Sequence, residues 1–160
     1  MNASVTLNRL SERFSGSIIE THSYKGDDTA VVKKEDILEI CTFLRDDEGL
    51  RYNFMMDLTA VDYLGKEPRF EVVYHLYSLK YNRRVRIKAG VSGLDCNIDS
   101  IVTIWESANW FEREVFDMYG ITFNGHPELR RILLYEGFEG HPLRKDYPIK
   151  KRQPLIGPNN

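Results

Sequence analysis

The sequence predicts an α+β fold: a two-layer body, in which helices cover a mixed, largely antiparallel sheet, followed by an extended C-terminal arm. Three segments alternate apolar and polar side chains and are joined by short polar turns, as in an antiparallel meander. Apolar residues at helical spacing flank these segments on both sides. Five of the six prolines lie in the last 34 residues, where regular structure is unfavourable. We therefore place the body at residues 1–120 and the arm at residues 121–160.

The first half of the body predicts two helices and a pair of strands. Apolar side chains recur at helical spacing over residues 5–14, and residues 17–24 and 29–33 read as strands joined through the turn-rich sequence KGDD. Residues 34–49 then predict a firmer helix with acids in its first turn. Its last residue, Gly49, is suited to a left-handed helix end.

The three meander strands are predicted over residues 51–63, 69–79 and 83–91. In the middle strand, one set of alternating positions is wholly apolar and the other set is mixed. His75 belongs to the mixed set, so we interpret it as a histidine on the sheet surface.

A third helix is predicted over residues 97–108, with Asn97 or Asp99 as its N-cap, and Asn109 can cap the helix that follows. In that last helix, residues 110–119, five apolar side chains share one broad face at 100° per residue. They are Phe111, Val115, Phe116, Met118 and Tyr119. Arg113 and Asp117 lie four residues apart on the other face and are predicted to pair.

Glu112 does not fit this helix, because it falls in the middle of the apolar face. A buried carboxylate is costly unless it is paired, protonated or placed at an interface that supplies a donor. Two hypotheses remain open. Glu112 either clamps the helix to basic residues of the arm or presents its charge to another protein. The basic residues near it in the sequence are Arg130, Arg131, Arg144 and Lys145.

The arm differs in charge from the body. From His126 onward there are seven Lys and Arg residues against four Asp and Glu, a net charge of +3, which leaves about −5 on the rest of the chain. The arm also keeps more apolar side chains than a solvated tail needs. We therefore expect it to lie against another surface.

Composition excludes several classes of function. No segment approaches the roughly 20 apolar residues of a spanning helix, and the N-terminal sequence lacks the apolar core of a secretory signal, so an intracellular protein is expected. Cys41 and Cys96 form no metal-type motif and are interpreted as reduced thiols. A basic arm could bind nucleic acid, but its interleaved acids and the pI near 6.1 argue against a phosphate track.

Catalysis by this chain alone is also disfavoured. His126 and His141 each precede a proline and lie near Glu128 and Asp146, respectively, which raises the possibility of acid/base or metal chemistry. Their spacing does not match the helical zinc pairs, however. The sequence also has no glycine-rich phosphate loop and no nucleophile elbow.

Two long motifs carry a resemblance to a known family. EREVFDMYGITFNGHPELRRILL, followed by GFEGHPLRKDYPI, resembles the signature of the thirty-kilodalton subunit, also called the C subunit, of the proton-pumping NADH:quinone oxidoreductase, respiratory complex I. The first motif is filled without departure by Glu112, Arg113, Glu114, Asp117, Met118, Tyr119, His126, Arg130 and Ile132. Residues 140–148 match the second motif.

The resemblance implies a peripheral subunit on the cytoplasmic side of the bacterial inner membrane, with no membrane span and no nucleic acid partner. Its partners would be other complex I subunits, chiefly the quinone-site subunit related to the large subunit of nickel-iron hydrogenase. NADH, FMN, iron-sulfur clusters and quinone would bind in partner subunits. No cofactor, metal or catalytic residue is implied in this chain, in which two distant cysteines cannot supply four thiolates.

The signature residues are expected to form a docking surface. They are Glu112, Arg113, Glu114, Asp117, His126, Arg130, Arg131, His141, Arg144, Lys145, Asp146 and Tyr147. The alternative within the same superfamily is a subunit of a membrane-bound hydrogenase or of a chloroplast-type complex. A chloroplast-type member would favour Trp at position 141 instead of His141.

Overall fold

The computed structural model describes residues 4–154, so the first three residues of the predicted body and residues 155–160 of the predicted arm lie outside the described residues. The α-helices in this range are α1 (Val5–Arg13), α2 (Ile37–Asp46) and α3 (Ala108–Tyr119), and one turn of 3-10 helix, Lys34–Asp36, directly precedes α2. The strands are β1 (Ile18–Tyr24), β2 (Asp27–Val32), β3 (Phe54–Asp62), β4 (Phe70–Ser78), β5 (Arg83–Val91), β6 (Asn97–Asp99) and β7 (Thr122–Asn124).

Five strands form one mixed sheet in the order β1-β2-β5-β4-β3, and β6 pairs with β7 separately. The β3-β4-β5 meander is antiparallel, as predicted, and β1 pairs antiparallel with β2. β2 runs parallel to β5. The turn between β1 and β2 is only Lys25 and Gly26, both at positive φ, as a tight hairpin requires. The predicted α+β class with a mixed sheet is confirmed.

One hydrophobic core joins the sheet to the helices. Alternate residues of β4 and β5, among them Tyr74 and Ile87, are fully buried against side chains of all three helices, such as Leu10 and Leu44. β4 follows the predicted alternation, and His75 is only partly exposed on the mixed set of positions. Both cysteines are free thiols, with Cys41 in the core and Cys96 half-buried.

The helix predicted over residues 97–108 is wrong. Residues 97–99 form β6 and pair in parallel with β7, and turns lead from there to α3. The buried Ile98 and Ile101 suit helical spacing, but pairing with β7 satisfies the backbone of this segment instead. Asn97 and Asp99 are therefore strand residues, not N-caps.

Two predicted helix ends are also wrong. Asn109 lies inside α3, which begins at Ala108 after Ser107 and has no side-chain cap hydrogen bond. The second helix ends at Asp46, and Asp47 is already extended instead of Gly49 closing the helix in a left-handed conformation. Just after the helix end, the Asp47 carboxylate accepts hydrogen bonds from Arg9 of α1 and from the Gly49 amide.

Candidate functional site

Helix α3 is covered on two sides, and this geometry defines the candidate site. Val115 and Met118 of its apolar face are buried, as predicted. Arg113 and Asp117 on the opposite face are buried too, because the arm folds back over them. The predicted Arg113–Asp117 ion pair is wrong, since each side chain binds the arm instead.

The Asp117 carboxylate holds the start of the arm. Its Oδ2 accepts the backbone amides of Ile132, Leu133 and Leu134 at 3.0, 2.8 and 2.9 Å. Its Oδ1 accepts a 2.6 Å hydrogen bond from the Arg131 guanidinium. Burial favours the protonated acid, but these four donors together hold the pKa of Asp117 below its ordinary value. Asp117 is thus a fully buried carboxylate that organises four consecutive residues.

Arg113 binds backbone carbonyl groups in the same part of the arm. Its Nε and Nη2 donate to the carbonyl oxygens of Arg130 and Arg131, both at 3.1 Å. The guanidinium also lies 5.2 Å from the centre of the Trp110 ring, within the range of a cation–π contact. Adjacent arm carbonyls and amides are therefore bound by two side chains of one helix.

Both hypotheses for Glu112 are wrong, because it is fully buried and forms no hydrogen bond or ion pair with the described residues of the arm. Its fully buried carboxyl accepts hydrogen bonds from the Ser100 hydroxyl at 2.6 Å and from the Ile101 amide at 2.8 Å. Burial raises the pKa of Glu112 to about 7, against the opposing effect of these two donors. The segment between β6 and α3 therefore supplies neutral donors where the sequence suggested a cation.

A second part of the arm caps the C-terminal end of α3. The last carbonyls of a helix have no partner within the helix. Here His141 Nδ1 binds the Asp117 carbonyl at 2.9 Å, the Leu143 amide donates to the Met118 carbonyl at 3.1 Å, and Arg144 Nε donates to the Tyr119 carbonyl. Burial lowers the pKa of His141, which favours the neutral ring with its proton on Nδ1.

Gly120 ends α3 where these arm residues converge, and it adopts a left-handed φ of 73°. A Cβ at this position would lie 2.5 Å from His141 Nε2 and 2.8 Å from Arg144 Nη2. We expect Gly120→Ala to destabilise the protein by about 1 kcal/mol or more, from backbone strain plus displacement of the cap. Thermal melts check this prediction, with Gly16→Ala as a control, because a Cβ at Gly16 meets no atom within 4 Å. Equal melts for both variants would contradict it.

A third contact fastens the arm to the turn between β3 and β4. Asp62, at the end of β3, accepts Arg69 Nε at 3.0 Å and Nη2 at 2.9 Å, and it also accepts the Lys145 amide at 2.8 Å. Arg69 reaches on to Asp146 at 2.8 Å. Hydrogen bonding to Arg69 is the main cause of the lowered pKa of Asp62. The arm is thus tied to two elements of the body.

The side chains of the other signature residues take no part in these three contacts between the arm and the body. Glu114 is exposed, and Arg130 is an exposed side chain paired with Glu128 at 3.1 Å. His126 binds the Asn109 carbonyl through Nε2 at 3.2 Å. The Lys145 side chain is exposed, although its amide is bound.

Tyr147 contacts other residues of the arm: it stacks on Phe138 and accepts a 2.8 Å hydrogen bond from Gln153.

The sequence did not predict a role for Asp62, Arg69 or Ser100. For Asp62 a signal was present, because it shares the alternation of the buried Leu58 and Ala60 and so marks an acid on the core face.

Comparison with known proteins decides the family. Residues 30–153 match the family model described as the respiratory-chain NADH dehydrogenase 30 kDa subunit. The chain belongs to this family. The C subunit of NADH-quinone oxidoreductase from Geobacter metallireducens is 52% identical over 152 residues, covering 93% of each chain. Its counterpart from Geobacter sulfurreducens is 51% identical with the same coverage.

Solved structures agree with this family. The trypsin-resistant fragment 1–134 of Nqo5 is 31% identical, with a TM-score of 0.66, and the match covers 78% of this chain and all of the fragment. A chain of an archaeal membrane-bound sulfane sulfur reductase is 21% identical with a TM-score of 0.75, covering 90% of this chain and 84% of that one, and supports the fold alone.

The predicted resemblance is therefore confirmed, and the chain is a peripheral subunit of NADH:quinone oxidoreductase, respiratory complex I. Relatives from Geobacter, Roseiflexus and Rhizobium are all named as the C subunit of this enzyme, which favours this family over the hydrogenase, chloroplast-type and nucleic-acid alternatives. None of the helices within residues 4–154 has the length and apolar character needed to cross a bilayer.

Proposed function

We propose that this subunit is a scaffold without an active site of its own, and that its arm docks on the quinone-site subunit related to the large subunit of nickel-iron hydrogenase. In this proposal it lies on the cytoplasmic side of the membrane. NADH, FMN, the iron-sulfur clusters and quinone bind in partner subunits. The exposure of apolar side chains on an arm whose backbone is fixed is the observation that carries the proposal.

Exposed apolar side chains of the arm project from backbone that is hydrogen-bonded to α3. Leu133 is 62% exposed although its amide is bound by Asp117, and Leu143 is 52% exposed although its amide caps α3. Ile149 is fully exposed. A partner that buries Leu133 and Leu143 does not bear the cost of ordering their backbone, because α3 already binds it. The arm is therefore preorganised for association.

Charge indicates the kind of partner surface. The described part of the arm, residues 121–154, carries a net charge of +3, all of it from residue 126 onward, on a chain whose total is −2. Its exposed cations include Lys145, Lys150 and Lys151. Charge complementarity speeds association and selects the partner, so the arm fits an acidic surface with apolar recesses.

Substituting the exposed apolar residues tests the docking proposal. We expect Leu133→Ser, Leu143→Ser and Ile149→Ser together to leave the melting temperature of the isolated chain nearly unchanged. Burying a leucine or isoleucine contributes about 1.5 to 3 kcal/mol, so the triple variant should bind its partner at least about a hundredfold more weakly. Affinity purification from gentle detergent extracts measures its incorporation into the complex.

Leu79→Ser with Leu94→Ser is the matched control, because both leucines are exposed on the body. Normal incorporation of the triple variant, or equal loss in the control, would refute docking through the arm. The scaffold role has a separate test. The purified chain should show no flavin or iron-sulfur absorbance and no NADH oxidation with quinone.

A further inference from the structure

Glu112 is a buried acid that the docking proposal does not use. Each of its carboxyl oxygens has one donor, the Ser100 hydroxyl or the Ile101 amide. No lysine, arginine or histidine among residues 4–154 comes within 4 Å of it to form an ion pair, unlike Asp62 and Asp117. A buried carboxylate without a cation is the costly state, and neutralisation by a proton relieves that cost.

The titratable groups that face Glu112 do not offset its charge. Cys41 of α2 and Tyr74 of β4 are fully buried and lie within its electrostatic influence. Burial is the main cause that raises the pKa of both groups, and the Glu112 charge adds to it, so both are neutral at neutral pH. The further acid Asp99 of β6 acts on Tyr74 in the same direction. The surroundings therefore favour an uncharged Glu112.

The local geometry accommodates both protonation states. When Glu112 is ionised, the Ser100 hydroxyl donates to Oε2. When it is protonated, Oε2 can donate to Ser100 Oγ across the same 2.6 Å, because a serine hydroxyl rotates and serves as donor or acceptor. The Ile101 amide donates to Oε1 in either case. Both hydrogen-bond partners can therefore serve the protonated and the ionised carboxyl.

We propose that Glu112 is a reversible proton-binding site that links the helix anchoring the arm to pH. Ionisation places an unpaired charge between α3 and the segment that precedes it, which weakens their packing. Arg113 and Asp117, which hold the arm, belong to the same helix. Proton binding itself does not depend on docking, but its effect on the arm rests on the proposed function.

The direction of the pH effect follows from burial. The pKa of Glu112 in the folded protein, about 7, is above its ordinary value of 4.5. The folded state therefore binds the proton more strongly than the unfolded state does, so the contribution of Glu112 to stability is complete below pH 4.5 and is lost as pH rises from 4.5 through about 7. Over this window the melting temperature should fall by about 5 °C or more.

Glu112→Gln is the principal variant, since its amide can donate to Ser100 Oγ and accept from Ile101, as the protonated acid does. We expect its melting temperature to change less between pH 5 and 8.5 than that of the wild-type chain. Glu114→Gln, the exposed acid two residues along the helix, should keep the wild-type slope. Wild-type slopes in both variants would overturn the proposal.

A direct titration keeps the test independent of folding in the variant. Carbon-13 NMR of labelled glutamate side chains should show one carboxyl in the wild-type chain that titrates near pH 7, and Ser100→Ala should shift it to higher pH by removing a donor to the charged form. If every glutamate carboxyl titrates below pH 5, the proposal is overturned.

Proteolysis of the arm tests the link to docking. It should accelerate from pH 6 to 8 in the wild-type chain but not in Glu112→Gln. Unchanged cleavage beside a confirmed titration would overturn the link to the arm alone.

Discussion

Asp117→Ala is expected to release the arm from α3. The substitution leaves three backbone amides and the Arg131 guanidinium without their shared acceptor. Removing one partner of a buried ionic cluster costs about 3 to 5 kcal/mol. This described segment of the arm has no helix or sheet hydrogen bonds of its own to hold it in place once this acceptor is gone. Hydrogen exchange at Ile132, Leu133 and Leu134 should therefore accelerate by at least a hundredfold, and protease should cut the arm.

The core between the sheet and the helices contains no residue from the range 130–154, so Asp117→Ala should keep a cooperative melt. Glu114→Ala is the control, because this exposed acid lies on the same helix. The folded pKa of Asp117 is below its ordinary value, so its contribution is complete above about pH 4 and is lost as pH falls further. Slow exchange in Asp117→Ala would mean that the remaining contacts, such as those of Arg113 and His141, hold the arm without the carboxylate.

The elements that the sequence predicted correctly depend on local periodicity. The strands β4 and β5 bury alternate positions along most of their nine residues, and β3 does so from Leu58 to Asp62. Helix α3 repeats its apolar face over three turns. The prediction for residues 97–108 was wrong because it, too, relied on local periodicity. Their apolar spacing fits a helix, whereas their pairing with β7 depends on a three-residue strand 25 positions further along the chain.

The candidate site could be located from the sequence but not assembled. The ERE motif turns by about 100° per residue, which sends Glu112 to the core, Arg113 to the arm and Glu114 to solvent. A helical wheel separates these directions. It cannot show that Asp117 binds amides 15 to 17 residues later, because those amides belong to a segment with no repeating pattern.

The partners predicted for the helix face opposite the core were wrong. The helical wheel placed Arg113 and Asp117 four residues apart on this face, where they were predicted to pair with each other. They are buried because the arm brings its own carbonyls, amides and Arg131 to them. The arm was expected to lie against another surface, and its inner side lies on the body of its own chain.

Arg69→Ala should destabilise the whole body, in contrast to Asp117→Ala. The Asp62 side chain is only 1% exposed and would keep the Lys145 amide as its sole donor among the described residues. An uncompensated buried carboxylate costs about 3 to 5 kcal/mol. In a domain of this size each kcal/mol corresponds to about 2 to 4 °C, so the melting temperature should fall by roughly 6 to 20 °C.

The outer half of the same cluster provides a matched control. Asp146 also pairs with Arg69, but its side chain is 49% exposed, and exposed pairs contribute about 0 to 1 kcal/mol. Asp146→Ala should therefore shift the melting temperature by no more than a few degrees. Adding Asp62→Ala to Arg69→Ala should recover part of the lost stability, because it removes the unpaired charge. Equal losses in Arg69→Ala and Asp146→Ala would show that the buried pair contributes nothing beyond the exposed one.

Acid should reduce the difference between Arg69→Ala and the wild-type chain. Hydrogen bonding to Arg69 lowers the pKa of Asp62 below its ordinary value of 3.8. The pair therefore contributes fully to the free energy of unfolding above pH 3.8, and this contribution is lost as pH falls through the lowered pKa. In Arg69→Ala the carboxyl has lost its principal stabilising donor, and burial shifts its pKa upward, so it takes up a proton at higher pH. Urea unfolding at pH 7 and pH 3 measures both chains. A stability difference that stays constant between these pH values would mean that the Arg69 guanidinium stabilises the turn through its contact with the Phe70 ring, 4.8 Å from the ring centre, and not through its pair with Asp62.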